Sequence, residues 1–205
     1  LGINIGVGAA IGFGDPRVQR GNLLQTNFPC ELGALMRRVQ LCEEITFRRK
    51  IHKRLVNVPG RPVISNCGTA TERISEFLDF HIQPLVEGVP SVVKDSTHFL
   101  QRLEDLGHTP STAILCTMDV VGLYPHIPHS EGLEALRSAL NKAKGNIPVD
   151  DLVSLAKLVL ENNFFEFDEN AFRQQLGTAT GTKFAPGFAN IFVGYFEERF
   201  LDSCE

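Results

Sequence analysis

The chain has no C-x-x-C pair, no uncharged stretch long enough to span a bilayer, no dinucleotide fingerprint and no internal repeat. Each absence removes a class of protein. The five cysteines (Cys30, Cys42, Cys67, Cys116, Cys204) are odd in number and unpaired in spacing. That excludes a disulfide framework and a zinc ribbon, so no disulfide partner is expected and a reducing compartment, nuclear or cytoplasmic, fits. The longest uncharged run at the start, residues 1–14, falls short of the roughly 20 residues a membrane helix needs. It also lacks the basic leader of a secretion signal, so no membrane partner is expected. Gly6, Gly8, Gly12 and Gly14 miss the phosphate-cradling spacing of dinucleotide-binding folds, and no strand pattern precedes them.

What remains is the composition of an ordinary globular protein, 43% hydrophobic and 21% charged over 205 residues. The net charge of −4 conceals a division by position. Residues 1–61 carry 10 Lys and Arg against 4 Asp and Glu, whereas residues 62–205 carry 10 against 20. Arg37, Arg38, Arg48, Arg49, Lys50, Lys53, Arg54 and Arg61 supply most of the positive end. Because exposed charges are screened over roughly 8–10 Å, such a face can bind phosphate whatever the global sum. A basic run by itself reads as a solvated face, and the motifs beside it decide between the two.

Residues 1–42 show no sustained period and stay unplaced, and the chain begins with leucine, which suggests a piece of a longer polypeptide. Residues 43–205 read as one folded unit. Thr69 and Glu72 have capping-box spacing ahead of Ile74, Phe77, Leu78, His81, Ile82 and Leu85, which recur at helical intervals. A shorter helix is expected from Asp95 to Leu106 with Phe99, Leu100 and Leu103 inward. Ser130 can cap a helix burying Leu133, Leu136 and Leu140; Pro148 with Asp150 or Asp151 opens another carrying Leu152, Leu155, Val159 and Leu160. Phe165 and Phe167, a polar turn at 168–170, and Phe172 predict a β-hairpin. Pro186 suits the first turn of a last helix with Phe188, Ile191, Phe192, Tyr195 and Phe196 on its apolar stripe. The phenylalanines read as core, not as a platform for stacking bases. Together these elements predict an α+β fold, helices on one face of a mainly antiparallel sheet.

The most informative string is "TMDVVGLYPHIPH", residues 117–129. The uncharged run 113–118 ahead of it reads as a buried strand with Cys116 as a small core residue. An acid at the end of such a strand, Asp119, can hold a hard cation at the rim of a sheet. Read alone, Asp119 merely ends a strand. His126 and His129 form an H-x-x-H pair, but Pro125 and Pro128 interrupt it and no third and fourth zinc ligands stand at useful spacing. Two further strings belong with this one: "GRPVIS" at 60–65 and "GTATGTKFAP" at 177–186.

Taken together, the three strings resemble the nucleotide-binding half of a reverse transcriptase, and most nearly that of Penelope-like retroelements. The resemblance runs from about Lys50 to Leu201. It implies right-hand polymerase fingers and a partial palm, and an RNA-directed DNA polymerase that adds dNTPs to a DNA primer on an RNA template. It implies Mg²⁺ or Mn²⁺ held by Asp119 and the backbone carbonyl of Val120. Tyr124 would pack under the sugar and exclude a 2′-hydroxyl. Arg61 would clamp the triphosphate, a task suited to a planar guanidinium. "KIHKR" resembles a basic block of the family, with Lys53 or Arg54 as a second phosphate contact; Arg48 and Arg49 stand where leucine and proline are usual. Gly181, Lys183 and Pro186 match the loop that contacts template and nucleotide, although Thr180 replaces a frequent glutamine and Gly187 a frequent proline. The resemblance stops before the family's Tyr-x-Asp-Asp block, and Asp150-Asp151, which opens a helix, does not replace it. Two readings follow. One is a reverse transcriptase fragment that is inactive alone; the other is a catalytically dead, truncated retroelement remnant that at most binds nucleic acid.

Overall fold

In the computed structural model, Leu24–Gln25, Cys42–Arg49 and residues 60–108, 110–167 and 170–203 are described, with side chains from Val63 onward apart from Phe167 and Asn170. Five strands form one sheet: β1 (Leu24–Gln25), β2 (Cys42–Arg49), β3 (Gly60–Ile64), β4 (Phe164–Phe167) and β5 (Asn170–Gln174). Their spatial order is β1-β5-β4-β2-β3. Three of the four ladders are antiparallel, and β2 runs parallel to β4. The expected hairpin is β4–β5, with Phe165 opposite Phe172 and their rings stacked at 5.6 Å.

Six helices complete the described chain: α1 (Glu72–Glu87), α2 (Ser96–Asp105), α3 (Leu123–His126), α4 (His129–Ala143), α5 (Val149–Glu161) and α6 (Ala185–Asp202). The mixture of helix and small sheet is compatible with the α+β expectation. The main core, however, lies between helices. Leu78 and Ile82 of α1, Leu136 and Leu140 of α4, Leu152, Val159 and Leu160 of α5, and Phe188 and Ile191 of α6 meet there, with Ile127 and Phe184 from the connecting loops. Each fully buried side chain of this size stabilises the fold by about 1.5–3 kcal/mol. No helix among the described residues is long and apolar enough to cross a membrane.

The helix starts show where local pattern and structure part. Helix α1 begins at Glu72 with Thr71 as its cap, and the Thr71 side chain makes no capping bond. The Thr69 hydroxyl donates instead to the Asn66 carbonyl at 3.0 Å, while the Glu72 carboxylate accepts from the backbone N–H of Gly68 at 2.8 Å. The expected reciprocal box is thus replaced by a turn that joins β3 to α1. Helix α4 starts at His129 after Pro128, so Ser130 lies inside it rather than at its cap. Asp95 does cap α2, accepting from the His98 N–H at 2.8 Å, and Pro148 does precede α5.

Two expectations of burial fail. Residues 113–118 form no strand, and Ile114 and Leu115 are 86% and 88% exposed. Cys116 is exposed with them, so it is not a core residue. An uncharged run is buried only if a neighbour supplies lateral hydrogen bonds and a covering layer, and none of the five described strands pairs with it. The second failure is α2, none of whose residues is buried: Phe99, Leu100 and Leu103 face outward. Phe77 and Phe196 are also partly exposed, at 42% and 40%, whereas Phe165, Phe184 and Phe188 are buried core as expected.

The contrast sets a direct test. Leu136→Ala should cost about 2–5 kcal/mol in urea unfolding, the ordinary penalty for a cavity in a packed core. Ile114→Ala should stay within about 0.5 kcal/mol of the parent. A loss at Ile114 as large as that at Leu136 would show that this segment is packed after all.

Candidate functional site

The three strings that share no sequence neighbourhood come together as backbone. Ser65, just past β3, forms a parallel bridge with Gly181. The Gly177 N–H donates to the Ile127 carbonyl at 2.9 Å, and the Thr178 N–H to the Tyr124 carbonyl at 2.8 Å. His129 Nε2 donates to the Gly177 carbonyl at 2.8 Å, which fixes its proton on Nε2. The loop 175–184 is therefore pinned on one side to the turn 122–129 and on the other to the end of β3.

Glycine is required at both contacts, for different reasons. At Gly177 φ is +76°, and an added β-carbon would overlap the backbone of Tyr124 and Pro125. At Gly181 the backbone is not left-handed, but a β-carbon would overlap the Ile64 carbonyl. These two positions have no room for a side chain because another strand of backbone occupies it.

The turn carrying Tyr124 is built locally. Gly122 adopts φ +67° and caps α3, and His126 Nδ1 donates back to the Gly122 carbonyl at 2.6 Å. The two histidines of the H-x-x-H pair thus bond to two different carbonyls, a structural use and not a metal pair. Tyr124 is half-buried against the helical core. Asp119 and Val120 lie in the exposed segment before this turn, outside any strand. The expected strand-end setting of Asp119 is accordingly not formed. Among the described residues no three His, Cys, Asp or Glu side chains gather where they could hold a metal.

Arg61 lies on β3, four residues before Ser65, and the ladder with β2 sets it directly opposite Arg48. Like charges at directly opposed positions disfavour the pairing of strands. Lys53 and Arg54 fall outside the described residues.

Lys183 is placed with its head against α1. Its ammonium bonds to one oxygen of Glu76, whose other oxygen takes Arg73 Nη1 at 2.8 Å. The Lys183 hydrogen bond and then that of Arg73 hold the Glu76 carboxyl below the usual range, while Glu76 raises Lys183. A lowered carboxyl pKa means the pair is intact at neutral pH and is lost as acid protonates Glu76. One residue before Glu76 and one after Lys183, the buried Ser75 hydroxyl accepts from the Phe184 N–H at 3.2 Å. Ser65, His129 and Gly177 belong to the three strings, but no local pattern marks them as contacts between segments. Glu76 carried no signal beyond an exposed helical acid.

No protein-family model and no curated protein matches the chain.

A pair of glycine substitutions isolates the close approach. Gly68 shares the φ of +76° but has open space around its missing β-carbon. Gly68→Ala should cost about 1–2 kcal/mol, the strain of a left-handed alanine. Gly177→Ala should cost at least 2 kcal/mol more by chemical denaturation, since backbone must also move. Equal losses at the two positions would contradict the apposition of Gly177 with the Tyr124 turn.

Proposed function

We propose that this chain is the nucleotide-binding part of an RNA-directed DNA polymerase of the Penelope-like type, comprising fingers and a partial palm. It binds an RNA template, a DNA primer and a dNTP, and it does not turn over alone. The observation that carries the reading is the convergence of β3, the Tyr124 turn and the Gly177–Gly181 loop. Three strings singled out for one resemblance, each separated from the next by dozens of residues, meet through backbone hydrogen bonds. Sequence spacing alone does not impose that meeting.

In this reading each residue has a task that its surroundings suit. Arg61, with Arg48 at the opposed register position, offers a cationic edge to a triphosphate. Tyr124, held by the Thr178 bond to its carbonyl and packed on the core, presents a fixed ring edge that excludes a 2′-hydroxyl. Gly181, whose missing side chain admits the Ile64 backbone, holds the exposed loop beside β3 where a base pair would lie. Lys183 supplies a charge at the far side of the same loop.

The implied Mg²⁺ or Mn²⁺ fits the described residues poorly. Asp119 and the Val120 carbonyl are one carboxylate and one neutral oxygen in an exposed segment. Two divalent ions about 3.5–4 Å apart need more hard-oxygen ligands than these. That same shortage favours the second reading, a remnant without catalysis that binds nucleic acid through its basic end.

Fluorescence anisotropy of a DNA primer annealed to RNA separates the readings. Affinity should fall with salt at a log–log slope of about −0.7 to −0.9 per phosphate neutralised. Added dNTP complementary to the template should tighten the complex, and Arg61→Ala should abolish that tightening. Primer extension with Mg²⁺ or Mn²⁺ should yield no product. Binding without any dNTP effect supports the remnant; a salt-independent signal, or none, removes nucleic acid from both.

A further inference from the structure

We infer that Glu76 is an internal counterion of Lys183: it occupies the ammonium in the free protein, is displaced when a phosphate group arrives, and so sets the affinity of this loop for anions. The inference rests on the proposed role of the 177–186 loop and adds to it a residue outside the three strings.

The pair is not a casual surface contact. Ser75 is fully buried, and its hydroxyl receives the N–H of the equally buried Phe184. Ser75 precedes Glu76, and Phe184 follows Lys183. The buried rung therefore fixes the separation of α1 and the loop, and the ion pair is the next rung outward. Its two ends differ in accessibility: the Glu76 side chain is 27% exposed and that of Lys183 56%. An incoming anion can reach the ammonium while the carboxylate stays behind it.

Neighbouring charges leave Glu76 as the group committed to this contact. The groove beside the pair is lined by the carboxylates of Glu76, Asp79 and Glu87, and Lys183 is the only Lys or Arg among the described residues lining it. Asp79 accepts from Gln83 at 2.7 Å, and Glu87 pairs with Lys94 at 3.2 Å. Glu72 acts on Lys183 only through space and accepts from the Gly68 N–H, so Glu76 is the acid bonded to Lys183, and it also holds Arg73, whose side chain is 87% exposed. When a phosphate oxygen takes the Lys183 ammonium, Arg73 remains as a cation for the released carboxylate. The exchange thus leaves neither charge unpaired. The cost of parting Glu76 from Lys183 is subtracted from the anion's affinity, and exposed pairs of this kind are weak enough to be exchanged.

Calorimetric titration of the full chain with inorganic tripolyphosphate at low ionic strength tests this. Glu76→Gln should tighten binding about three-fold, the range expected from losing one exposed ion pair. Lys183→Ala should weaken binding, and in that background Glu76→Gln should change nothing, which a merely structural role of Glu76 would not produce. Glu76→Ala provides a second variant with the charge removed, and it should behave as Glu76→Gln does. Unchanged or weaker binding by both Glu76 variants overturns the inference. So does a tightening that persists without Lys183. If Arg61→Ala abolishes binding while the Glu76 and Lys183 variants match the parent, the nucleotide-binding reading stands and the counterion falls. If tripolyphosphate does not bind the parent chain at all, both fall together.

Discussion

The apposition of Gly177 with the Tyr124 turn is the constraint on which the candidate site depends. Two backbone hydrogen bonds and one from His129 cross that junction, and a left-handed glycine without a β-carbon makes room for it. Backbone polar groups brought this close must be paired, and here each of the three bonds satisfies a group that loop geometry would otherwise leave to water. The junction also leads into the core. Ile127, which accepts the Gly177 bond, is fully buried among the helices, and Phe184 at the other end of the loop is buried with it. The loop is thus strung between two core residues, with its exposed positions, Thr180, Gly181 and Lys183, in between.

From this frame the division between rigid and unsupported parts follows. The helices α1, α4, α5 and α6 hold the loop and the turn. The segment before the turn has no such support among the described residues: residues 111–122 are exposed throughout and carry Asp119. Chemistry that depends on a single geometry requires packed neighbours around the reacting groups. Among the described residues Tyr124 has them, packed against the helical core, and Asp119 does not. Under the proposed function, recognition and catalysis therefore separate within the chain, and binding without turnover follows from that separation.

Much of the helical part was legible in sequence because helical periodicity reports burial against other helices of the same chain. Leu136 and Leu140, Leu152, Val159 and Leu160, and Phe188 and Ile191 were all identified from spacing and are all in the core. The hairpin was legible because alternation of Phe165, Phe167 and Phe172 needs only a local partner. Residues 113–118 misled for the opposite reason: apolar content shows that a segment is suited to burial, not that a partner is present. Leu100 and Leu103 of α2 misled in the same way. Strand β2 was missed, although Ile45 and Phe47 flanking Thr46 hold the weak alternation that marks it. The contacts Ser65–Gly181 and His129–Gly177 lay beyond sequence reasoning, since nothing in a local pattern encodes which distant loop a turn will meet.

Native-state amide hydrogen exchange tests the central junction most directly. The Gly177 and Thr178 amides should exchange with the slow class set by global unfolding, alongside the Phe188 amide of α6, because they are bonded into the core-anchored turn. Amides of residues 114–120 should exchange near the rate of an unstructured peptide. Rapid exchange at Gly177 and Thr178 with slow exchange at Phe188 would contradict the junction, and with it the site built upon it.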